Sequence, residues 1–425
     1  MEWRKDMRPV FETLEGKSPQ ELFSGITTPC YVIDERKLHK NGKILSELMK
    51  KTGSKILLAQ KAFSNYDFYP LLSRYLSGTE ASGLYEARLG AEEMQGKEVH
   101  VFCAAYREDE FDELLRYADH IVFNSPAQLK KFGPKAKQCG KSIGLRINPE
   151  HSTQEGHEIY DPCATGSRLG TTREVWNREM SRELMDLLDG LHFHTLCEQN
   201  SDALEETVHA AEEKFGDILP HMKWLNMGGG HHITREDYDV NRLEKVITYA
   251  QKKWNLQVYL EPGEAVALNA GFLASRVLDI VHNGDIKVAI LDVSAACHMP
   301  DVIEMPYTPP LYGAKEGNDS KNKYRLAGPT CLAGDIIGDY YFADVLKPGD
   351  ILVFGDMAIY STCKNNTFNG MPLPDIYRRN EDGTLTRLTD FSYQDFKRRL
   401  GSGTGDRHLS DSSTRLRSQN FHKKY

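Results

Sequence analysis

The feature that most constrains this 425-residue chain is a regular alternation, from about Cys30 to Glu264, of short apolar runs with longer amphipathic stretches. The runs SKILLA, EVHVFC, HIVF, SIGLRIN, GLHFHT, KWLNM and QVYLEP have strand length and β-type composition. Between them, ELLRYA, SPAQLKKFG, SRELMDLLD, SDALEETVHAAEEKF and NRLEKVITYAQKKW place apolar residues at helical spacing. Parallel strands need a crossover that a helix supplies, so strand–helix alternation implies a parallel sheet. Roughly eight units in about 235 residues suit a closed (β/α)8 barrel better than an open sheet.

Beyond Ala265 the helices disappear. FLASRVLDIV, IKVAILDVS, KYRLAGPTC and DILVFGD are short β-type segments separated by Gly, Pro and Asn turns. The expected organisation is a barrel over 34–265 and a mostly β domain over 266–400, to which TPCYVID at 27–33 contributes a strand. The polar, Gly/Ser-rich stretch 401–425 is expected to be a disordered or appended tail. With 40% hydrophobic residues there is apolar material for two cores.

A net charge of −8 lacks the basic footprint of a nucleic-acid binder and suits a cationic ligand. No apolar run is long enough to span a membrane, and the N-terminus lacks the apolar core of a secretory leader. Eight scattered cysteines without CxxC spacing point to reduced thiols and a cytoplasmic setting rather than a zinc ribbon or disulfide framework.

Candidate chemistry gathers at strand ends. Lys61, in LLAQKAFSN, follows an apolar strand and would face the mouth of a barrel, where partial desolvation suits a Schiff-base amine. The plainer alternative is a surface lysine opening a loop. The turn MGGGHH strips side chains from Gly228, Gly229 and Gly230, so that backbone N–H groups can approach a phosphate. It matches neither the P-loop nor the dinucleotide pattern. Glu261, in EPGE, ends another strand, where a carboxylate suits a protonated pyridine nitrogen, although Pro-Gly also marks a simple turn. His192 and His194 share one strand face, and no third ligand at suitable spacing makes them a metal site. GPTCLAGD and GDMAIYSTCKNNTFNG add glycine-rich loops carrying a cysteine, an acid and a tyrosine.

Taken in order, TPCYVID, the lysine segment, ASGLYE, the FH pair, GGG, EPG, GPTC and the tyrosine with TFNG resemble the fold-type III decarboxylases, which include ornithine, arginine and diaminopimelate decarboxylases. The resemblance spans about 30–390. Within that family, EPGE in place of EPGR, CHMPDVIEMPY and GPTCLAGD are similar to the branch acting on carboxynorspermidine and carboxyspermidine in polyamine biosynthesis. It implies pyridoxal 5′-phosphate held on Lys61, with His194 against its ring and Glu261 keeping its nitrogen protonated. Gly228, Gly229, Gly230 and Tyr360 would hold the phosphate. Cys331 would reach in from the second subunit of a homodimer to protonate the carbon that loses CO₂, and Asp335 would follow it.

Two departures bear on the substrate. Glu264 stands where relatives have an arginine near the phosphate, so it could face a substrate ammonium. Asp301 and Glu304 align loosely with the acid that grips the distal amine elsewhere. Arg168, in GSRLG, has two roles open to it: meeting the substrate carboxylate or holding its own loop. Another decarboxylase of the family is disfavoured by EPGE and the acid-rich loop, an amino-acid racemase by GPTC, and a non-catalytic carrier by the intact Lys61, Glu261 and Cys331.

Overall fold

The computed structural model describes residues 17–23, 25–154, 161–315 and 322–401; the tail beyond 401 lies outside the described residues. Eight parallel strands close into a barrel. They are β2 (Lys55–Ala59), β3 (Gly78–Ala81), β4 (Glu98–Phe102), β5 (His120–Phe123), β6 (Ser142–Arg146), β7 (Gly190–His192), β8 (Trp224–Asn226) and β9 (Gln257–Leu260). Pairing of Lys55 with Tyr259 and of Ile56 with Leu260 joins the last strand to the first. The fold is therefore the expected (β/α)8 barrel with a β-rich companion.

Seven of these strands are the apolar runs of the sequence; the eighth, GTEA, carries Thr79 and Glu80 where apolar residues are usual, yet all four residues are buried. Helix lengths also depart from the expectation. SRELMDLLD forms only the single turn Arg182–Met185. The helix begun by SPAQLKKFG runs through Pro134 to Gln138, because Leu129, Phe132 and Ala136 continue one buried face. Glu35–Thr52 is longer still. Asp34 caps it by accepting from Arg36 N–H, Leu38, Leu45 and Leu48 line its buried side, and Gly53 ends it at φ 69°.

The N-terminal end of the barrel is closed by its own side chains. The Trp224 indole fills the space left by Gly144 and Gly190, where an added Cβ would lie 2.0–2.3 Å from the ring, and it donates to Ser142 Oγ at 2.9 Å. Beside it the rings of His100 and His120 stack with centroids 3.9 Å apart, and Lys55 pairs with Glu98. This floor confines solvent access to the opposite end.

The second unit is a nine-stranded sheet. Its strands are β1 (Cys30–Asp34), β10 (Gly271–Asn283), β11 (Ile286–Leu291), β12 (Ala314–Lys315), β13 (Lys323–Ala327), β14 (Ile336–Phe342), β15 (Ile351–Gly355), β16 (Asp375–Arg379) and β17 (Leu385–Thr389). β1 lies between β10, antiparallel, and β16, parallel, so TPCYVID joins this sheet and not the barrel. All five of its residues are buried. Asp34, at its end, forms a fully buried ion pair with Arg379 on β16 at 3.4 Å.

Candidate active site

A cavity of about 930 Å³ lies at the C-terminal ends of the barrel strands, the end where barrel enzymes place their chemistry. Its far wall comes from the sheet unit, through Asp301, Met305, Tyr360 and Lys364. A shallower depression of about 630 Å³ between Arg173, Glu212 and Lys253 holds surface charges already paired with one another.

Lys61 reaches the cavity two residues past β2. Its turn is fixed by Gln60, which accepts from Tyr69 OH at 3.0 Å and donates to Glu86 O at 2.8 Å. Tyr360 N–H donates to Ala62 O at 2.8 Å, tying the sheet unit to the lysine turn. Across the cavity, Glu261 follows β9 and is buried. Asn226 Nδ2 donates to its Oε1 at 2.5 Å, and His192 Nε2 to its Oε2 at 3.1 Å. Burial alone would raise its pKa, but His192, His100 and Asn226 together hold it below the usual carboxylate range.

Glu80, at the end of β3, is a second buried carboxyl on the same cavity and was not among the sequence candidates. Burial first, and Glu261 second, push its pKa well above the ordinary value. One of the two neighbouring carboxyls therefore keeps its proton while the other stays charged. A strand-end acid among buried neighbours is the signal that would have found it. Arg146, ending β6, was missed for the same reason. It lies over the Phe102 ring at 4.6 Å, donates to His194 O at 3.0 Å, and is lowered by burial to about 10, so it remains charged.

His194 lines the cavity with Nδ1 accepting from Gly229 N–H at 3.0 Å, which leaves the proton on Nε2. Burial, then Lys61 and Arg146, hold its pKa well below the usual histidine value, so the ring is neutral. The three glycines do more structural work than the sequence suggested. Gly228 N–H donates to Asn226 Oδ1 at 2.9 Å and Gly229 N–H to His194, and of the three only Gly230 lines the cavity. A Cβ at 228, 229 or 230 would lie 2.1–2.4 Å from a backbone oxygen of Phe193, Glu261 or Leu196. At 228 and 230 the backbone also has φ of 69° and 81°.

The candidate substrate acids separate into two groups and one exception. Glu264 lines the cavity 2.6 Å from His232 Nε2, with Glu198 close enough that ligand-type atoms of all three lie within 4.8 Å. Asp301 also lines it, whereas Glu304 sits at the rim, 56% exposed, and both bind Lys364. Asp335 does not line this chain's own cavity. It is buried inside the sheet unit and accepts from Ser294 Oγ, Ala295 N–H and Thr330 Oγ1 at 3.0, 2.7 and 2.6 Å. Its oxygens are committed to holding the 328–335 loop. Cys331 on that loop is exposed, outside its own cavity, with its N–H donated to Asn369 at 2.7 Å. Arg168 lines the cavity, its backbone carbonyl held by Asn124 at 2.8 Å. Burial, then Glu264, keep the Tyr360 hydroxyl protonated, with its pKa well above the usual value.

A strand-end lysine, a buried anionic carboxylate opposite it, a neutral histidine and a glycine turn at a barrel mouth closed by a β unit fit pyridoxal phosphate: an amine to hold it, an anion for its ring nitrogen, a flat partner for its ring. The profile described as "Pyridoxal-dependent decarboxylase, C-terminal sheet domain" matches residues 30–358. The carboxynorspermidine/carboxyspermidine decarboxylase of Campylobacter jejuni is 41% identical over 389 residues, covering 89% of this chain and all of that one. A carboxyaminopropylagmatine decarboxylase of Synechocystis is 40% identical, covering 89% and 96%. The crystal structure of the Campylobacter jejuni carboxynorspermidine decarboxylase complexed with norspermidine superposes with a TM-score of 0.81, covering 88% and 100%. The Helicobacter pylori diaminopimelate decarboxylase, 18% identical with a TM-score of 0.76, shares the fold. The chain belongs to the pyridoxal-dependent decarboxylase family and is a pyridoxal-phosphate-dependent carboxy-lyase.

Proposed function

We propose that this enzyme removes the carboxylate from carboxynorspermidine and carboxyspermidine to yield norspermidine and spermidine. The observation that carries the reading is the cavity wall itself. Glu264 stands beside His232 where an arginine is common in the family, and Asp301 faces it from the sheet unit, so the wall carries acids suited to ammonium groups. Relatives that are 34–41% identical and named for this reaction support it.

Bound pyridoxal phosphate supplies the electron sink for the pair left when the carboxylate departs. Lys61 is the amine that would hold it at the cavity. Glu261, charged and fixed by Asn226 and His192, keeps a proton at the ring nitrogen. His194 offers a neutral ring face, and Gly230 and Tyr360 donate toward the phosphate. Arg168 meets the substrate carboxylate. The protein acts as a homodimer in which Cys331 of each protomer serves the other's cavity and returns a proton to the decarboxylated carbon. Exposure of Cys331 away from its own cavity supports this assignment. Eight free cysteines suit a reducing, cytoplasmic setting.

The test is product analysis with carboxynorspermidine, carboxyspermidine, carboxyaminopropylagmatine and diaminopimelate side by side. The two carboxypolyamines are expected to give the highest kcat/KM. A preference for the agmatine derivative or for diaminopimelate overturns the substrate assignment.

A further inference from the structure

Lys364 was not singled out in the sequence and has no part in the chemistry above, yet its ammonium lies on the cavity wall. It ends the short helix Ser361–Lys364, which starts immediately after Tyr360. Asp301 and Glu304, the first and last residues of the helix Asp301–Glu304, point the same way, as residues three apart on a helix do. Lys364 Nζ reaches both, Asp301 Oδ1 at 2.5 Å and Glu304 Oε2 in a closer contact. Asp301 and Lys364 are partly buried, whereas Glu304 is exposed at the rim. Asp301 retains 19% of its side-chain surface, and Lys364 32%. Burial pulls the lysine's pKa down, and the two carboxylates more than restore it, so the ammonium stays charged.

A lysine side chain ends in the same group as an aminoalkyl arm: a primary ammonium on a flexible methylene chain with three N–H donors. A pair of carboxylates that accepts Lys364 is therefore dimensioned for the distal ammonium of a linear polyamine. We propose that Lys364 is a built-in stand-in for that ammonium, occupying the Asp301–Glu304 subsite before substrate binds and swinging out when the substrate arm enters. The inference rests on the polyamine reading of the cavity. The exchange leaves the charge of the subsite unchanged, so the acids are never desolvated without a cation, and a substrate lacking a distal cation has nothing to exchange. Lys364 thus competes with the substrate's distal ammonium for the two acids and sets how tightly that arm is held.

Two measurements test this on the holoenzyme. Lys364→Met removes the competitor while keeping an unbranched side chain one atom shorter. KM for carboxynorspermidine and the inhibition constant of norspermidine should both fall, by about tenfold if one charge-assisted contact no longer has to be exchanged. An increase or no change in both constants overturns the proposal, since it would make Lys364 a strut for the 301–304 loop or leave the arm out of reach. The second measurement uses wild-type protein. Reductive methylation with excess reagent, read by mass spectrometry, should modify Lys364 faster when norspermidine saturates the site; slower or equal modification overturns the exchange. Failure of wild-type enzyme to release CO₂ from carboxynorspermidine would instead remove the substrate reading on which the proposal stands.

Discussion

The two buried carboxyls of the cavity make opposite predictions for the same substitution. Glu261→Gln exchanges a charged group for a neutral one. The new amide can accept from Asn226 as the carboxylate does, but its N–H₂ faces His192 Nε2, which donates in the native arrangement. Accommodation requires the His192 proton to move to Nδ1, a buried atom without a partner. Leaving such a donor unsatisfied costs about 1–3 kcal/mol of stability. The charge-assisted bond to the cofactor's ring nitrogen, worth about 1.5–3 kcal/mol, becomes a neutral one, so kcat should fall by about ten- to a hundredfold. Glu80→Gln replaces a carboxyl that already keeps its proton with a group of the same shape, and should leave kcat almost unchanged while raising Tm near neutral pH, where the unfolded but not the folded carboxyl ionises. The pH dependence separates them further. Glu80 is raised, so the folded protein binds the extra proton and loses stability as pH rises from the ordinary carboxyl value toward the raised one; Glu80→Gln flattens that loss. Glu261 is lowered, so its contribution is present above the ordinary value and lost as pH falls through the lowered one. Steady-state CO₂ release, cofactor absorbance and thermal melts of cofactor-free protein across pH provide the readouts. Equal damage from the two substitutions, or kcat within about twofold of wild type for a cofactor-loaded Glu261→Gln enzyme, would refute the assignment of which group carries the charge.

Three further outcomes are expected. Lys61→Ala should abolish the visible absorbance of the bound cofactor and CO₂ release while keeping the wild-type circular dichroism spectrum; covalently retained cofactor would exclude Lys61 as its anchor. Mixing Cys331→Ala with Lys61→Ala protein, each inactive alone, should restore up to about a quarter of wild-type activity through heterodimers with one intact site, and no recovery would remove the shared-site arrangement. Asp301→Asn should raise KM for carboxynorspermidine by about one to two decades with the cofactor spectrum intact; wild-type kcat/KM would show that the acid is not a substrate contact.

The barrel was legible because seven of its strands are apolar runs, and Lys61, His194 and Glu261 were legible because each follows such a run. Glu80 was not, because GTEA resembles a polar turn until its neighbours bury it. The hydrogen bonds of Asp335 were hidden for the converse reason: GPTCLAGD records an acid near a cysteine, not that Ser294, Ala295 and Thr330 donate to its oxygens. Lys364 lies in a polar stretch where a lysine ordinarily meets solvent, and only the approach of the 301–304 helix gives it partners. The Gly229 N–H bond to His194 was likewise invisible, since its partners lie 35 residues apart in the chain.

The buried strand β1 sets an order on how the chain can be made. Asp34 meets Arg379 345 residues further along, and Tyr31 donates to His298 O 267 residues away. During synthesis from the N-terminus, CYVID leaves the ribosome with neither of its sheet neighbours in existence, and the whole barrel emerges before either arrives. Until then five residues destined for complete burial are an unpaired apolar edge. The fold therefore assigns the nascent chain a long interval in which its first strand must be shielded, and any truncation before Gly271 makes that interval permanent.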